Sequence, residues 1–282
     1  SLLEAVGNEA QKESLLAAIA GGETVFTLAL CEGDRFDPTR IATTAAADGD
    51  TYVLNGSKKH VLDGDLANTF IVVARLTGDA DSEDGLGLFL VDRDTEGLSV
   101  STTLNADNRR VGNLDFESVR VAANAVIGKP GANRAALARA LDIGAALSAA
   151  ELLGVAQESF ERTLDYLKDR KQFGVPVASF QALQHRAAQL FCELELCKSC
   201  VLKALQAIDQ DSPDRSTLVS MAKAKVAKTS KLAVNEAVQM HAGIGMTDEF
   251  DIGFFMKRSA AACQEYGDYY FHSDRFAELG GY

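Results

Sequence analysis

The hydrophobic period changes near residue 130, and this constrains the fold more than any other feature. From about Thr24 to Val126, β-prone runs alternate with Gly, Asp and Asn clusters. Thr51–Leu54 and Ser57–Leu62 flank Asn55-Gly56, which predicts a hairpin turning at that dipeptide. Thr69–Leu76, Gly87–Val91, Leu98–Thr103 and Leu114–Val121 continue the pattern, and Gly78–Gly85 reads as a solvated acidic loop. After Gly131 the period is helical. Arg134–Arg170 carries one apolar face. Within Ser179–Ile208, the residues Phe180, Leu183, Ala187, Leu190, Leu194, Cys197 and Val201 form one stripe. Ser212-Pro213-Asp214 predicts an N-cap, a first-turn proline and a dipole-matched acid opening a helix towards Met240. Ala242–Gly245 breaks it, and a last helical region from about Phe250 to Leu279 is interrupted near Gly267. Strands followed by long helices predict an α+β chain: a β-barrel-like domain, residues 24–128, then an antiparallel four-helix bundle, residues 129–282.

Charge narrows the function classes. The 282 residues are 47% hydrophobic, enough for two subdomains, and carry a formal charge of −12. No basic stripe is present, which argues against nucleic acid and anionic membrane surfaces as partners. An anionic substrate then needs locally placed donors. No apolar run approaches the roughly 18 residues of a membrane span. Cys197 and Cys200 form a CxxC inside a helical stretch without a second Cys/His pair, so no metal is expected, and a reducing cytoplasmic setting fits the cysteine usage. Ser1–Ala20 opens directly as an amphipathic stretch with no start methionine, so the numbering reads as beginning inside a longer chain.

Four ordered segments carry a family resemblance: Thr43–Gly64 (TTAAADGDTYVLNGSKKHVLDG), Tyr166–Gly174 (YLKDRKQFG), Phe180–His185 (FQALQH) and Gln239–Thr247 (QMHAGIGMT). Together and in this spacing they resemble the acyl-CoA dehydrogenases over essentially the whole chain. The resemblance implies an N-terminal helical domain, largely missing here with residues 1–23 as its remnant, then the middle β-domain and the C-terminal bundle. It also implies FAD as cofactor and an acyl-CoA thioester as substrate, oxidised to the trans-2-enoyl thioester in β-oxidation-type fatty acid metabolism. A carboxylate takes the α-proton while hydride passes to the flavin.

The same resemblance assigns site residues. Arg170 matches an arginine that reaches the FAD pyrophosphate across a subunit interface, so a homo- or hetero-oligomer, dimer or tetramer, is expected with FAD near that interface. Phe173, Phe180 and Gln181 flank the cofactor. Gln239 to Gly243 matches a loop on its ADP half, where glycine lets backbone N–H groups approach phosphate. Ala242 stands where the family usually has glycine, and His241 lies in the same loop without metal or catalytic partners. On the flavin-ring side, His60, Val61 and Leu62 replace a Trp-x-Thr element, and Phe36 falls where a serine is usual.

The usual base is absent. Aligned through Gln264 and Tyr266, one family position for the catalytic Glu holds Gly267, and the other holds Gly144. Asp268 and Glu151 are the candidate substitutes, with Glu265 pointing elsewhere. Glu151 is the only charge in Ile143–Ala156 and two turns from Gly144; unpaired in such surroundings it should have a raised pKa, and otherwise it is a buried acid bridging to a neighbouring helix through an arginine. GIGMTDE and the Tyr-Gly-Asp ending further resemble small-subunit members of the pimeloyl-CoA dehydrogenase type. Three readings stand open: an acyl-CoA dehydrogenase subunit with a relocated or partner-supplied base, a non-catalytic subunit of a heteromeric dehydrogenase, and a flavin monooxygenase or oxidase on the same fold.

Overall fold

The computed structural model of the chain describes residues 2–82 and 84–282. They divide into two compact units, up to Leu141 and from Asp142 onward.

The first unit begins with short helical turns: α1 (Leu2–Val6), α2 (Glu9–Gln11), a π turn at Lys12–Leu16 and α3 (Ala17–Ala20). Asn8 and Gln11 form a reciprocal capping box. Gln11 also donates to the carbonyls of Asn124 and Val126 (3.1 and 2.9 Å), tying these turns to the sheet. The strands are β1 (Phe26–Ala29), β2 (Thr44–Asp48), β3 (Thr51–Leu62), β4 (Thr69–Arg75), β5 (Leu86–Asp92), β6 (Leu98–Leu104), β7 (Arg110–Ala122) and β8 (Val126–Gly131). Their order is β6-β7-β3-β2-β4-β5-β8, with β1 parallel to β4. The expected α+β class holds, and the sheet is open, ending at β6 and β8.

Every residue of β4 is buried because both faces of the sheet are covered. Phe70, Val72 and Ala74 join Leu54, Phe89, Leu114 and Phe116 on one side. Ile71 and Val73 join Leu2, Leu3, Leu88, Ile127 and Leu137 on the other. The expected N-terminal remnant is therefore part of this unit's core.

The expected hairpin at Asn55-Gly56 does not occur: β3 runs straight through it. The turn is Gly49-Asp50, between the paired Asp48 and Thr51. Positive φ at Gly49 (60°) suits the first centre of a two-residue turn. Gly56 serves close approach instead. A Cβ there would stand 2.7 Å from the Thr43 Cα, and the β3–β7 register shifts between Leu54 and Gly56. The Asn55 carboxamide accepts the Ser118 N–H at 2.8 Å across that irregularity.

The second unit is helical. α4 (Arg134–Asp169) enters it, followed by a two-stranded ribbon of β9 (Lys171–Gln172) and β10 (Val175–Pro176). Then come α5 (Gln181–Asp209), α6 (Arg215–His241), a 3₁₀ segment Ala242–Met246, α7 (Ile252–Ala262) and α8 (Tyr269–Leu279). Leu190, Leu194, Cys197 and Val201 of the expected stripe are buried on α5. Ala149 and Leu152 of α4, Cys197 and Val201 of α5, Val226 and Ala227 of α6, and Ala262 of α7 meet in one core cluster. α7 and α8 both pack against α6.

The predicted cap of α6 is displaced. Asp214, not Ser212, holds the N-cap position and makes no side-chain cap bond. The Ser212 hydroxyl instead accepts the Asp214 N–H (3.3 Å), and its carbonyl accepts the Arg215 N–H (3.1 Å), bracing a turn. Arg215 and Ser216 are then held by the buried Asp142 carboxylate at 3.2 and 2.7 Å. No helix among the described residues is long and apolar enough to cross a membrane.

Candidate active site

Four of the residues expected at the flavin come together at the ribbon after α4. Gln172 pairs with Val175, so Phe173-Gly174 is a two-residue loop, and both of its residues have positive φ (54° and 78°). That is the primed-turn geometry in which Asn-Gly is the preferred pair. A phenylalanine there is strained, and it packs little: Phe173 is 89% exposed. Its ring meets Phe180 edge-on at 6.0 Å. Phe180 occupies the N-cap position of α5 without offering a side-chain bond to the helix, and Gln181 follows in the first turn. Arg170 anchors the base of the ribbon through its backbone, accepting the Val177 N–H at 2.8 Å. Its exposed guanidinium makes no ion pair among the described residues.

Gln239 and Gly243 lie elsewhere, on an open depression of about 400 Å³ at the end of α6, together with Asn235, Val238, Met246 and Met256. A Cβ on Gly243 would meet nothing within 4 Å, so nothing inside the chain demands glycine there. Ala242 next to it adopts φ 55°, ψ −136°, a conformation natural to glycine. The expected departure at this position therefore carries a backbone cost. His241 is fully buried and stacks on Tyr166 at 4.3 Å. Its Nδ1 donates to the Ala237 carbonyl (2.7 Å), and burial pushes its pKa down. It is a neutral packing residue, and Nε2 has no hydrogen-bond partner in the interior.

Both expected base positions are closed. Gly267 has φ 103°, and a Cβ there would stand 2.5 Å from the Phe271 Cδ1 and 3.0 Å from the His272 Nε2. At Gly144 a Cβ would stand 2.5 Å from the Tyr266 Cε1. The candidate substitutes are engaged. Asp268 caps α8, its carboxylate accepting the Phe271 N–H at 2.9 Å. The two oxygens of Glu151 are gripped by Arg258 of α7 at 2.6 and 2.9 Å. The expected bridge to an arginine is present, but the acid is not buried: its side chain is 41% exposed. The same arginine holds Glu265 at 2.9 Å.

Sequence reasoning missed the polar groups beneath this loop. His272 is buried, with Nε2 2.9 Å from the Tyr266 carbonyl and Nδ1 3.4 Å from the Ser220 hydroxyl. Burial drives its pKa down to about 4. Lys223 is fully buried, donating to Ser148 Oγ (3.0 Å) and the Ala262 carbonyl (2.9 Å), and burial lowers its pKa to about 8. The signal for both was a polar residue inside an apolar helical face. Among the described residues no three His, Cys, Asp or Glu side chains converge as for a metal, and the cysteines are unpaired.

In the first unit, His60 sits at a second β3–β7 irregularity, between Lys58 and Val61, with φ 54° and an exposed side chain. Val61 turns into the core, and Leu62 is half-buried, its carbonyl accepting the Thr27 hydroxyl at 2.6 Å. Phe36 packs against its own unit's core. The loop carrying it is braced by buried Lys58, which donates to Glu32 (2.7 Å) and the Leu30 carbonyl (3.0 Å). Burial pulls the Lys58 pKa down to about 8 against the pull of Glu32.

Family models match both units: "Acyl-CoA dehydrogenase, middle domain" over residues 29–119 and "Acyl-CoA dehydrogenase, C-terminal domain" over residues 133–264. The chain belongs to the acyl-CoA dehydrogenase family. A probable acyl-CoA dehydrogenase of Bacillus subtilis is 32% identical over 250 residues, covering 87% of this chain and 66% of that protein. A probable acyl-CoA dehydrogenase of Mycobacterium tuberculosis is 30% identical over 255 residues, covering 89% of this chain and 65% of that protein. The chain thus spans just under two thirds of the length of these relatives. The acyl-CoA dehydrogenase of Geobacillus kaustophilus superposes with a TM-score of 0.93 at 26% identity, covering 100% of this chain and 75% of that one. Within this acyl-CoA dehydrogenase chain the α6 depression is open, while a Cβ added at Gly144 or Gly267 would meet neighbouring side chains.

Proposed function

We propose that this chain is an FAD-binding subunit of an acyl-CoA dehydrogenase acting on acyl-CoA thioesters, with its base supplied by a partner subunit. One contrast carries the reading. Arg170, Phe173, Gln181, Gln239 and Gly243 are exposed and unspent, whereas Gly144 and Gly267 have no room for a carboxylate.

The exposed set fits FAD by its chemistry. Arg170 offers a planar, permanently charged donor for a pyrophosphate. Phe173 offers an aromatic face already held at the tip of a ribbon, at a strain the chain's own packing does not explain. Gly243 leaves its backbone open to close approach. FAD, when bound, supplies the hydride-accepting ring. The roles of His60 and Leu62 at the ring end belong to the same proposal. Leu62 carries no side-chain hydrogen-bond donor, and the exposed His60 imidazole is the polar group of this pair.

The isolated chain should show no bleaching of flavin when an acyl-CoA is added anaerobically. Co-expressed with a family member that retains its Glu, it should co-purify as a yellow oligomer that bleaches. Bleaching by the isolated chain would overturn the reading. In that event Glu151→Gln decides whether the acid held by Arg258 is a relocated base: it should then keep FAD and lose reduction.

A further inference from the structure

We infer that Tyr266 is a plug: its ring takes the space a carboxylate would need in this unit, so the loss of the base is enforced by packing. The inference rests on the flavin-subunit reading above.

Gly144 lies well inside the 36-residue helix α4, where glycine forfeits helix propensity and needs a reason. The reason is the Tyr266 ring, whose Cε1, Cδ1 and Cζ lie 2.5, 2.7 and 2.8 Å from where a Cβ would be. Tyr266 also packs against the core cluster formed by Ala145, Ala146, Ala204, Val219 and Ala222. Tyr266 does not reach this place cheaply. It has φ 56°, a left-handed conformation that a bulky side chain resists. His272 holds it there by donating Nε2–H to its carbonyl, and His272 is in turn placed against Ser220.

Gly267 completes the device. Its φ of 103° turns the chain back into α8, where Asp268 caps the helix. A glutamate at 267 would adopt that strained backbone and meet Phe271 and His272. A glutamate at 144 would have to displace the Tyr266 ring. One interlocked arrangement therefore blocks both positions, which simple loss of a side chain by substitution would not do. Restoring a carboxylate alone cannot restore a base.

Two measurements test this. The first is a stability cycle on the chain without flavin, using Gly144→Ala, Tyr266→Gly and the pair; glycine accepts the positive φ at 266. Gly144→Ala should lower the urea midpoint when Tyr266 is present and raise it when the ring is gone, because alanine then simply improves the helix. A rise in both backgrounds overturns the inference. If Tyr266→Gly does not fold, Gly144→Ala, →Val and →Leu in the natural background should lower the midpoint progressively, and a flat series overturns it.

The second measurement is anaerobic flavin reduction by butyryl-CoA in the FAD-loaded chain. Gly144→Glu alone should leave the flavin oxidised, and Gly144→Glu with Tyr266→Gly should reduce it. Reduction by the single variant, or by neither, shows that the ring is not what closes the position. A chain that takes up no flavin defeats the functional reading instead, and the stability cycle still decides the plug.

Discussion

Replacing Phe173 with asparagine separates a residue kept for folding from one kept for a ligand. In the native loop Phe173 and Gly174 both have positive φ. The left-handed region costs an ordinary side chain about 1–2 kcal/mol, and asparagine suffers least among non-glycine residues. Against that relief stands the edge contact with Phe180 at 6.0 Å, a geometry worth about 0.5–1.5 kcal/mol. Because Phe173 is 89% exposed, little buried area is at stake. Phe173→Asn should therefore leave the flavin-free chain as stable as before or more stable by about 0.5 kcal/mol, the difference of those midpoints. Removal of a central aromatic anchor typically costs about 2 kcal/mol or more of binding, so FAD affinity should fall roughly 30-fold. Urea denaturation reads the first quantity and quenching of flavin fluorescence on titration reads the second. Stability lowered by more than about 1 kcal/mol with unchanged FAD affinity would make Phe173 a packing residue and refute the argument.

Ala242→Gly should stabilise the chain, since φ 55°, ψ −136° is strained for alanine. Relief of about 1–3 kcal/mol less a glycine entropy cost of about 0.5–1 kcal/mol leaves a gain of roughly 1 kcal/mol in urea denaturation. A loss would mean the alanine methyl makes contacts that outweigh the strain. His272 should make folding pH-dependent. Burial depresses its folded pKa to about 4, from an unfolded value of 6.5, so the neutral form is favoured in the fold. That stability is present above pH 6.5 and is lost as pH falls towards 4; the 2.5-unit gap at about 1.36 kcal/mol per unit amounts to about 3 kcal/mol. His272→Gln should flatten the fall relative to the natural chain, leaving the contribution of buried His241; parallel pH curves would show that His272 is not responsible.

The period change separated the strand-rich part from the helical part because burial on alternating or helical faces is written into the order of the apolar residues. The buried stripe of α5 is the clearest case: Leu190, Leu194, Cys197 and Val201 point inward as their spacing requires. The sequence misled where one residue type serves two purposes. Asn-Gly is the strongest hairpin signal, yet Gly56 is a glycine because Thr43 crosses it, and Gly49 takes the turn. Ser212-Pro213-Asp214 reads as a cap, yet a buried carboxylate far away in sequence, Asp142, sets where α6 begins. Glu151 sat in an apolar run, but the helix turned it outward to Arg258. At the site, the resemblance pointed to Gly144 and Gly267 as the positions where a base was expected. It could not say that Tyr266 fills Gly144, because that contact joins residues from opposite ends of the unit.

The groups beneath the loop from Gln264 to Asp268 explain why it has one conformation. Lys223 ties the Ala262 carbonyl at the end of α7 to Ser148 of α4, and His272 holds the Tyr266 carbonyl. Asp142 lies 3.2 Å from Arg215 and 2.8 Å from Arg275, the latter close enough for an ion pair though not aligned as a hydrogen bond. Arg275 reaches the Ser220 hydroxyl at 3.4 Å, which faces His272. Burial opposes the charge on both Lys223 and His272, and an apolar core of equal volume is often as stable as buried ions or more so. Such groups define geometry better than they stabilise it, since each has few partners and strict directions. Here those directions converge on a turn with one strained residue, Tyr266, followed by Gly267, which takes its positive φ without strain. The loop from Gln264 to Asp268 is thus fixed from below in a form that leaves no room for a Cβ at Gly144 or at Gly267.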